Sequence, residues 1–222
     1  MLRALGRGLR DTLDNLLTVA IASLLWWLGL LLIVTAPAAT MALLTVADPR
    51  RLEEYKRPEK AELKAVLRRD LLPAWGLTLL FGIPALVLVQ NLMHWGSSDS
   101  AFRLLTGLWV VLLLLIMAAA GIAGSLHAVH GLSFAAAARG AVVLTFSRAP
   151  QLLVVMVVVW IIIAICGVTV VPAVMILPGL LALIANHVTY ALLGIPVVDP
   201  LDPTSERAAE QERARSSKYS VN

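Results

Sequence analysis

Asn186 and His187 stand side by side near the end of the last apolar stretch of this 222-residue chain, with Thr189 and Tyr190 following within one helical turn. Strongly polar side chains inside a membrane are candidates for function, because burying them without a partner costs several kcal/mol. The pair could line a polar pocket and bind a substrate hydroxyl group. The pattern favours the alternative that both side chains hydrogen-bond to neighbouring helices and hold them together.

Two other groups of polar residues carry weaker signals. His127 and His130 are three residues apart, so a helix would place both imidazoles on one face. A zinc site needs at least one more ligand, and the spacing of the other residues identifies none. Gln90, Asn91 and His94 lie where an apolar stretch ends, which is typical of side chains that anchor a helix at the membrane interface. The sequence therefore predicts no metal site and no cofactor.

A third candidate site is the turn Thr35-Ala-Pro37. Thr is a good N-cap and Pro is favoured in a first helical turn, so a helix is predicted to begin here. The free N–H groups of its first turn could attract an anion or a hydroxyl-rich ligand, which makes Thr35 and Pro37 candidate binding residues. Pro178-Gly179 could open a similar break. The plainer alternative is that these prolines only kink helices whose neighbours satisfy the backbone.

The composition identifies the class of protein that carries these residues. The chain is 59% hydrophobic and 14% charged, with a mean hydropathy of +0.86. Soluble domains contain about 25% charged residues, so an all-α bundle of transmembrane helices is predicted. The net charge of +4 is explained by basic residues at the ends of apolar stretches, so no nucleic-acid partner is expected. No phosphate loop, nucleophile elbow or carboxylate falls inside a predicted span, which argues against an enzyme.

The basic residues also predict a topology. Seventeen of the 18 Lys and Arg residues fall on one side of a membrane when six spans are drawn, and only Arg103 falls on the other. Both termini are then cytoplasmic, because basic residues concentrate on that side. The first two spans form a tight hairpin whose second arm is short or re-entrant, since a dozen residues rise only about 18 Å. The predicted spans are residues 15–34, 36–47, 71–94, 103–126, 150–166 and 171–193.

The cytoplasmic segments are expected to contact lipid or a partner. Residues 50–70 mix charges of both signs with regularly spaced apolar residues, which predicts an amphipathic connector helix along the interface. Arg50, Arg51, Arg68 and Arg69 are its candidate contacts. A second cytoplasmic connector, residues 133–149, is also predicted to form an amphipathic helix. The transmembrane domain is assigned to residues 1–197, and 198–222 are predicted to form a mobile cytoplasmic tail.

Several motifs resemble the YesL-like family of small bacterial membrane proteins of unknown function. They are Asn15-Leu-Leu before an apolar helix, Thr35-Ala-Pro-Ala-Ala-Thr-Met-Ala-Leu, and a basic connector leading into Arg69-Asp-Leu-Leu-Pro-Ala-Trp. The chain departs from the pattern at Ala36, where Gly is expected. The resemblance implies a location in the bacterial plasma membrane and, because members are often encoded beside carbohydrate uptake transporters, an accessory role in sugar import. It supplies no catalytic residues.

Three functions therefore stay open. The first is a non-enzymatic accessory component that contacts a carbohydrate transporter. The second is a small channel or carrier built from the proline-broken helices around Asn186 and His187, which requires a continuous polar cavity. The third is a membrane scaffold that binds anionic lipid through Arg50, Arg51, Arg68 and Arg69. Membrane lipids are expected partners in each case, and the small residues of 118–124 allow close helix packing within one chain or in a homo-oligomer.

Overall fold

The computed structural model describes residues 1–31, 33–53, 65, 68–95, 105–168 and 174–197. The all-α prediction is confirmed for these residues, which form helices and short turns and contain no strand. Nine α-helices and one 3₁₀ turn, Ile33–Thr35, are described. The helices are α1 Leu2–Asp14, α2 Leu16–Leu31, α3 Ala36–Val46, α4 Pro49–Glu53, α5 Leu71–Trp95, α6 Thr106–Ala128, α7 Phe134–Ser147, α8 Ala149–Val168 and α9 Leu177–Leu193.

The described residues provide fewer membrane spans than the six predicted. Three helices are long and apolar enough to cross a membrane, α6, α8 and Leu71–His94 within α5. A fourth span is obtained if α1 and α2, which meet at an angle of 93°, are counted as one broken span. The shortfall arises because α3 has only 11 residues, so it rises about 16 Å, roughly half of the hydrocarbon core. The last predicted span is also shorter than expected, since α9 begins at Leu177.

The N-terminal segment is a helix that the sequence analysis did not identify. The first predicted element begins at residue 15, yet Leu2–Asp14 forms α1 and packs against α9. The two helices approach closely at Gly8, where an added Cβ would lie 3.3 Å from the Cα atom of Ile184. The segment has few β-branched residues, and leucines alternate with arginines at helical spacing.

The break between α2 and α3 lies where the proline predicts it. Helix α3 begins at Ala36 with Pro37 in its first turn, directly after the 3₁₀ turn. The indole N–H of Trp26 donates to the hydroxyl oxygen of Thr40 at 3.0 Å, and the Thr35 hydroxyl donates to the Gly29 carbonyl at 2.8 Å. These bonds tie the two helices together on either side of the turn.

Helix α6 lies at the centre of the described bundle and packs against α3, α5, α7, α8 and α9. Its small residues permit these contacts, because Ala118, Ala119, Ala123 and Gly124 are all buried. Most of the small residues at 118–124 therefore pack against helices of the same chain and are not available for contacts in a homo-oligomer.

One of the two connectors differs from the prediction of amphipathic helices. The second connector is helical as α7, capped by Ser133, but its exposed side is apolar, with Val143 and Phe146 each 65% exposed. The prediction of an amphipathic helix is therefore wrong for this connector, since its buried side carries mainly alanine and both faces are apolar. Only part of the first connector is described, including α4, and the predicted tail at 198–222 lies outside the described residues.

Candidate functional site

A cluster of polar side chains lies where α3, α6 and α9 end. The Tyr190 hydroxyl donates to Oδ1 of Asp48 at 3.0 Å. The guanidinium of Arg50 lies 5.0 Å from the centre of the Tyr190 ring, within cation–π range. The imidazole of His130 meets the same ring edge-on, with the ring centroids 4.9 Å apart. These four residues form the Tyr190 cluster, which joins the turn after α6 to the end of α9 and the start of α4.

The environment of His130 makes the cluster sensitive to pH. Burial lowers the pKa of His130 below its ordinary value of about 6.5, because burial disfavours the charged imidazolium. The negative charge of Asp48 opposes this shift, and the positive charge of Arg50 adds to it. The folded protein therefore holds His130 neutral at a pH where the unfolded chain would protonate it.

Stability is predicted to fall as the pH drops below about 6.5, because the unfolded chain then binds a proton that folded His130 does not. The variant His130→Gln lacks this contribution, so it should lose less stability between about pH 7.5 and pH 5.5 than the unmodified protein. Thermal unfolding in detergent, followed by circular dichroism, measures the difference. Parallel pH profiles for the two proteins would contradict the prediction.

Asn186 is fully buried, and its side chain hydrogen-bonds to the C-terminal end of α3. Its side-chain nitrogen donates to the carbonyl of Leu44 at 2.9 Å and to that of Ala47 at 2.8 Å. The last carbonyls of a helix lack partners within the helix, so the amide of Asn186 satisfies two of them. Its Oδ1 atom has no hydrogen-bond partner among the described residues.

His187 connects α9 to the N-terminal helix. Its Nε2 atom lies 2.6 Å from Oδ2 of Asp11, and the His187 side chain is 2% exposed. Asn186 and His187 thus both make interhelical hydrogen bonds, the alternative raised from the sequence. The partners lie 139 to 176 positions away in the chain, which is why sequence reasoning could not name them.

A second cluster of polar side chains, around Asp70, lies at the start of α5. Both oxygens of the buried Asp70 carboxylate accept from Arg69, at 2.7 and 3.0 Å. These hydrogen bonds and the charge of Asp70 raise the pKa of Arg69, against a smaller effect of burial. Nε2 of His127 lies 3.6 Å from Asp70, while its Nδ1 is 2.7 Å from the Leu132 carbonyl. His127 and His130 therefore face different acidic groups and do not form one site.

The other predicted contact residues lie outside the helical core. Arg50 and Arg68 are exposed, whereas Arg51 is partly buried with its Nε atom 4.0 Å from Asp48. Arg50 lies over the Tyr190 ring, Arg51 lies beside Asp48, and Arg68 is on the surface. All three side chains are therefore at the edge of the bundle. The described residues hold no group of three His, Cys, Asp or Glu side chains that could bind a metal ion.

The two helix starts at the prolines differ in their partners. At α3 the Thr35 hydroxyl donates to the Gly29 carbonyl of α2 and caps no N–H group of the first turn, and Pro37 is buried. In α9, the N–H of Gly179 donates to the Ser23 hydroxyl of α2 at 3.0 Å, so a side chain of a different helix caps its first turn. These contacts agree with the structural role of the prolines considered from the sequence.

A cavity of about 600 Å³ lies among α2, α3, α5, α6 and α9. Its walls are almost entirely apolar, and none of Thr35, Pro37, Asn186 and His187 lines it. The residues predicted to bind a ligand and the space that could hold one are therefore separate. Which helix faces enclose this space depends on tertiary packing, so the sequence pattern did not reveal it.

Helix α1 presents two further surfaces beside the one that packs on α9. Arg3, Arg7 and Arg10 fall within an arc of about 60° at 3.6 residues per turn. The leucines Leu2, Leu9 and Leu13 fall within about 40° of one another, on a strip next to the arginines. Leu2 is 62% exposed and Leu13 is 72% exposed. This arrangement of exposed leucines beside arginines is typical of helices that lie in a membrane interface.

Comparisons with protein-family models, with curated proteins and with solved structures found no match for this chain.

Proposed function

We propose that this chain is a non-enzymatic membrane scaffold whose helix α1 binds anionic lipid head groups. The observation that carries the proposal is the pairing of exposed leucines with arginines on α1, at an angle of 93° to the apolar helix α2. If α2 enters the membrane steeply, α1 lies close to the membrane plane. Leu2, Leu9 and Leu13 then enter the hydrocarbon boundary, and the arginines reach the phosphates.

The packing of α1 supports a fixed position for these arginines. Ala4, Leu5, Gly8 and Thr12 are buried, and the bond between Asp11 and His187 holds the end of the helix on α9. An anchored helix loses less conformational freedom on binding a lipid than a free arm would. Arg50, Arg51, Arg68 and Arg69 extend the basic surface in the proposal, with Arg69 held in place by Asp70.

The proposal includes the topology that the basic residues predict. In this topology the chain crosses the membrane six times and both termini are in the cytoplasm. Seventeen of the 18 Lys and Arg residues, including those of α1, then lie on the cytoplasmic side, which carries most of the anionic lipid in a bacterial plasma membrane. This requires α2, α3 and α9 to act as short or tilted crossings. Labelling of single cysteines in a Cys166→Ser background, at Asp14 and at Gly107, would place the two positions on opposite sides.

Lipid selectivity tests the proposal. In vesicles, the protein should bind spin-labelled phosphatidylglycerol more strongly than spin-labelled phosphatidylcholine. The combined variant Arg3→Gln, Arg7→Gln and Arg10→Gln should lower this preference at least about tenfold, since three basic residues near an anionic surface contribute about 3 kcal/mol, or roughly 150-fold, before screening by salt. Salt at about 0.5 M should lower the preference of the unmodified protein similarly.

The matched control removes basic residues elsewhere on the surface. Arg139 and Arg148 are exposed and lie in and after α7, so Arg139→Gln with Arg148→Gln should leave most of the preference intact. An equal loss in the control and in the two-residue variant Arg3→Gln with Arg7→Gln, which removes the same number of charges from α1, would show that only the net charge matters. No preference in the unmodified protein would reject the proposal.

An accessory role in carbohydrate uptake is a second proposal, supported by the resemblance of the Asn15, Thr35 and Arg69 motifs to the YesL-like family. In this proposal the basic cytoplasmic surface contacts a transporter component. Recovery of such a component from native membranes, together with slower sugar uptake in a deletion strain, is the expected result. A channel or carrier has less support, because the described cavity is apolar and does not reach Asn186 or His187.

A further inference from the structure

The cavity among α2, α3, α5, α6 and α9 is much larger than the voids of a packed protein interior. Its volume of about 600 Å³ falls within the range of roughly 300 to 1,000 Å³ found for small-molecule sites, whereas voids in close-packed interiors rarely exceed a water molecule. Met41 of α3, Leu77 of α5 and Leu181 of α9 are among its walls. Five helices therefore line a partly open space that their own side chains do not fill.

Three of the four polar side chains in the cavity wall have hydrogen-bond partners in the protein, and the fourth, Thr78, is exposed. The indole N–H of Trp26 donates to Thr40, and the Thr40 hydroxyl donates to the Ala36 carbonyl at 3.0 Å. The indole N–H of Trp27 donates to the Val174 carbonyl at 2.8 Å. No Asp, Glu, Lys, Arg or His side chain is among the described lining residues. The wall thus offers carbon surface to a ligand and would hold water poorly.

The cavity opens at residues of α5 and α6 that are exposed on the surface of the bundle. Thr78 and Gly82 of α5 and Met117 of α6 line the cavity and are exposed, and both helices are candidate membrane spans. The surface next to the opening is apolar, since Leu79 and Ile83 on α5 are about half exposed, at 49% and 56%. In a membrane, the molecules that reach this opening are the lipids that surround α5 and α6.

We infer that the cavity holds one acyl chain of a membrane phospholipid, which enters beside Thr78 and Gly82. Burial of methylene groups against leucine, methionine and tryptophan side chains supplies contacts that the empty cavity would lack. The head group stays outside the cavity, so binding depends on the chain and not on head-group charge. The inference is therefore independent of lipid binding at α1.

Blocking the opening tests the inference. Gly82 lines the cavity and has no atom within 4 Å of an added Cβ, so Gly82→Phe adds bulk beside the opening from a Cβ that meets no neighbour. The probe is a phosphatidylcholine with a diazirine on one acyl chain, incorporated in vesicles with the full chain. After illumination, mass spectrometry should map adducts to buried lining residues such as Met41 and Ala182, and Gly82→Phe should reduce them about tenfold, equivalent to ~1.4 kcal/mol.

Two further variants distinguish blocking from misfolding. Thr78→Phe enters the same opening one helical turn away and should reduce labelling in the same way. Gly107→Phe makes the same change as Gly82→Phe at an exposed α6 position that has open space and does not line the cavity. The adducts of this variant should match those of the unmodified protein. The α1 variant with Arg3, Arg7 and Arg10 replaced by Gln should also retain the adducts. Undiminished labelling in Gly82→Phe and Thr78→Phe, or no adduct on a lining residue of the unmodified protein, would overturn the inference.

Discussion

Replacing Asn186 by Leu is expected to lower the free energy of unfolding by about 2–4 kcal/mol, because it leaves two buried carbonyl groups without their donor. The carbonyls belong to Leu44 and Ala47 at the end of α3, and both accept from the same side-chain nitrogen. Leu has a similar size but cannot donate. Unfolding by heat in detergent micelles, followed by the helical signal in circular dichroism, measures the loss.

Asn91→Leu is the matched control for this change. Asn91 lies on α5 and is partly buried, and its side chain makes no hydrogen bond with the described residues. The same substitution there should alter the free energy of unfolding by less than about 1 kcal/mol, as is usual away from buried networks. Equal effects at the two positions would show that Asn186 does not stabilise the end of α3.

A second large loss of stability is expected for Gly179→Val. An added Cβ would lie 2.6 Å from Cγ1 of Val19, 3.0 Å from the Ser23 hydroxyl oxygen and 3.2 Å from the Val19 carbonyl oxygen. One of these atoms belongs to the backbone, so rotation of side chains alone cannot make room. We expect a loss of about 3 kcal/mol from overpacking, together with loss of the Ser23 hydrogen bond.

The control for the second substitution is Gly107→Val. Gly107 is also helical, but nothing lies within 4 Å of an added Cβ there. Since Val is a better helix former than Gly, this variant should be neutral or slightly more stable. Similar unfolding temperatures for Gly179→Val and Gly107→Val would contradict the close contact between α2 and α9.

The elements that the sequence predicts best are those defined by composition alone. The predicted spans 71–94, 103–126 and 150–166 correspond to α5, α6 and α8 with ends that differ by at most three residues. A long uncharged apolar run can only be a helix in a membrane, so its existence does not depend on its neighbours. The start of α3 is also predictable, because Pro37 restricts the local backbone.

The features that the sequence does not predict depend on distant partners. The topology prediction uses Arg3, Arg7 and Arg10 only as positive charges. The signal that indicates α1 is their helical spacing. The hydrogen bond from His187 to Asp11 spans 176 positions, and no local pattern indicates such a pair. Prediction of the cavity requires knowing how five helices pack against one another. Thr35 and Pro37 were correctly placed at a helix start, yet the ligand space lies elsewhere.

The contact between α1 and α9 also has a consequence for biosynthesis. A chain leaves the ribosome from its N-terminus, at about 5 to 20 residues per second. Residues 2–14 must therefore wait for residues 177–193 before Gly8 can dock on Ile184 and Asp11 can meet His187. The contact between α1 and α9 can therefore form only after almost all of residues 2–193 have been made, so this part of the fold is completed late in synthesis.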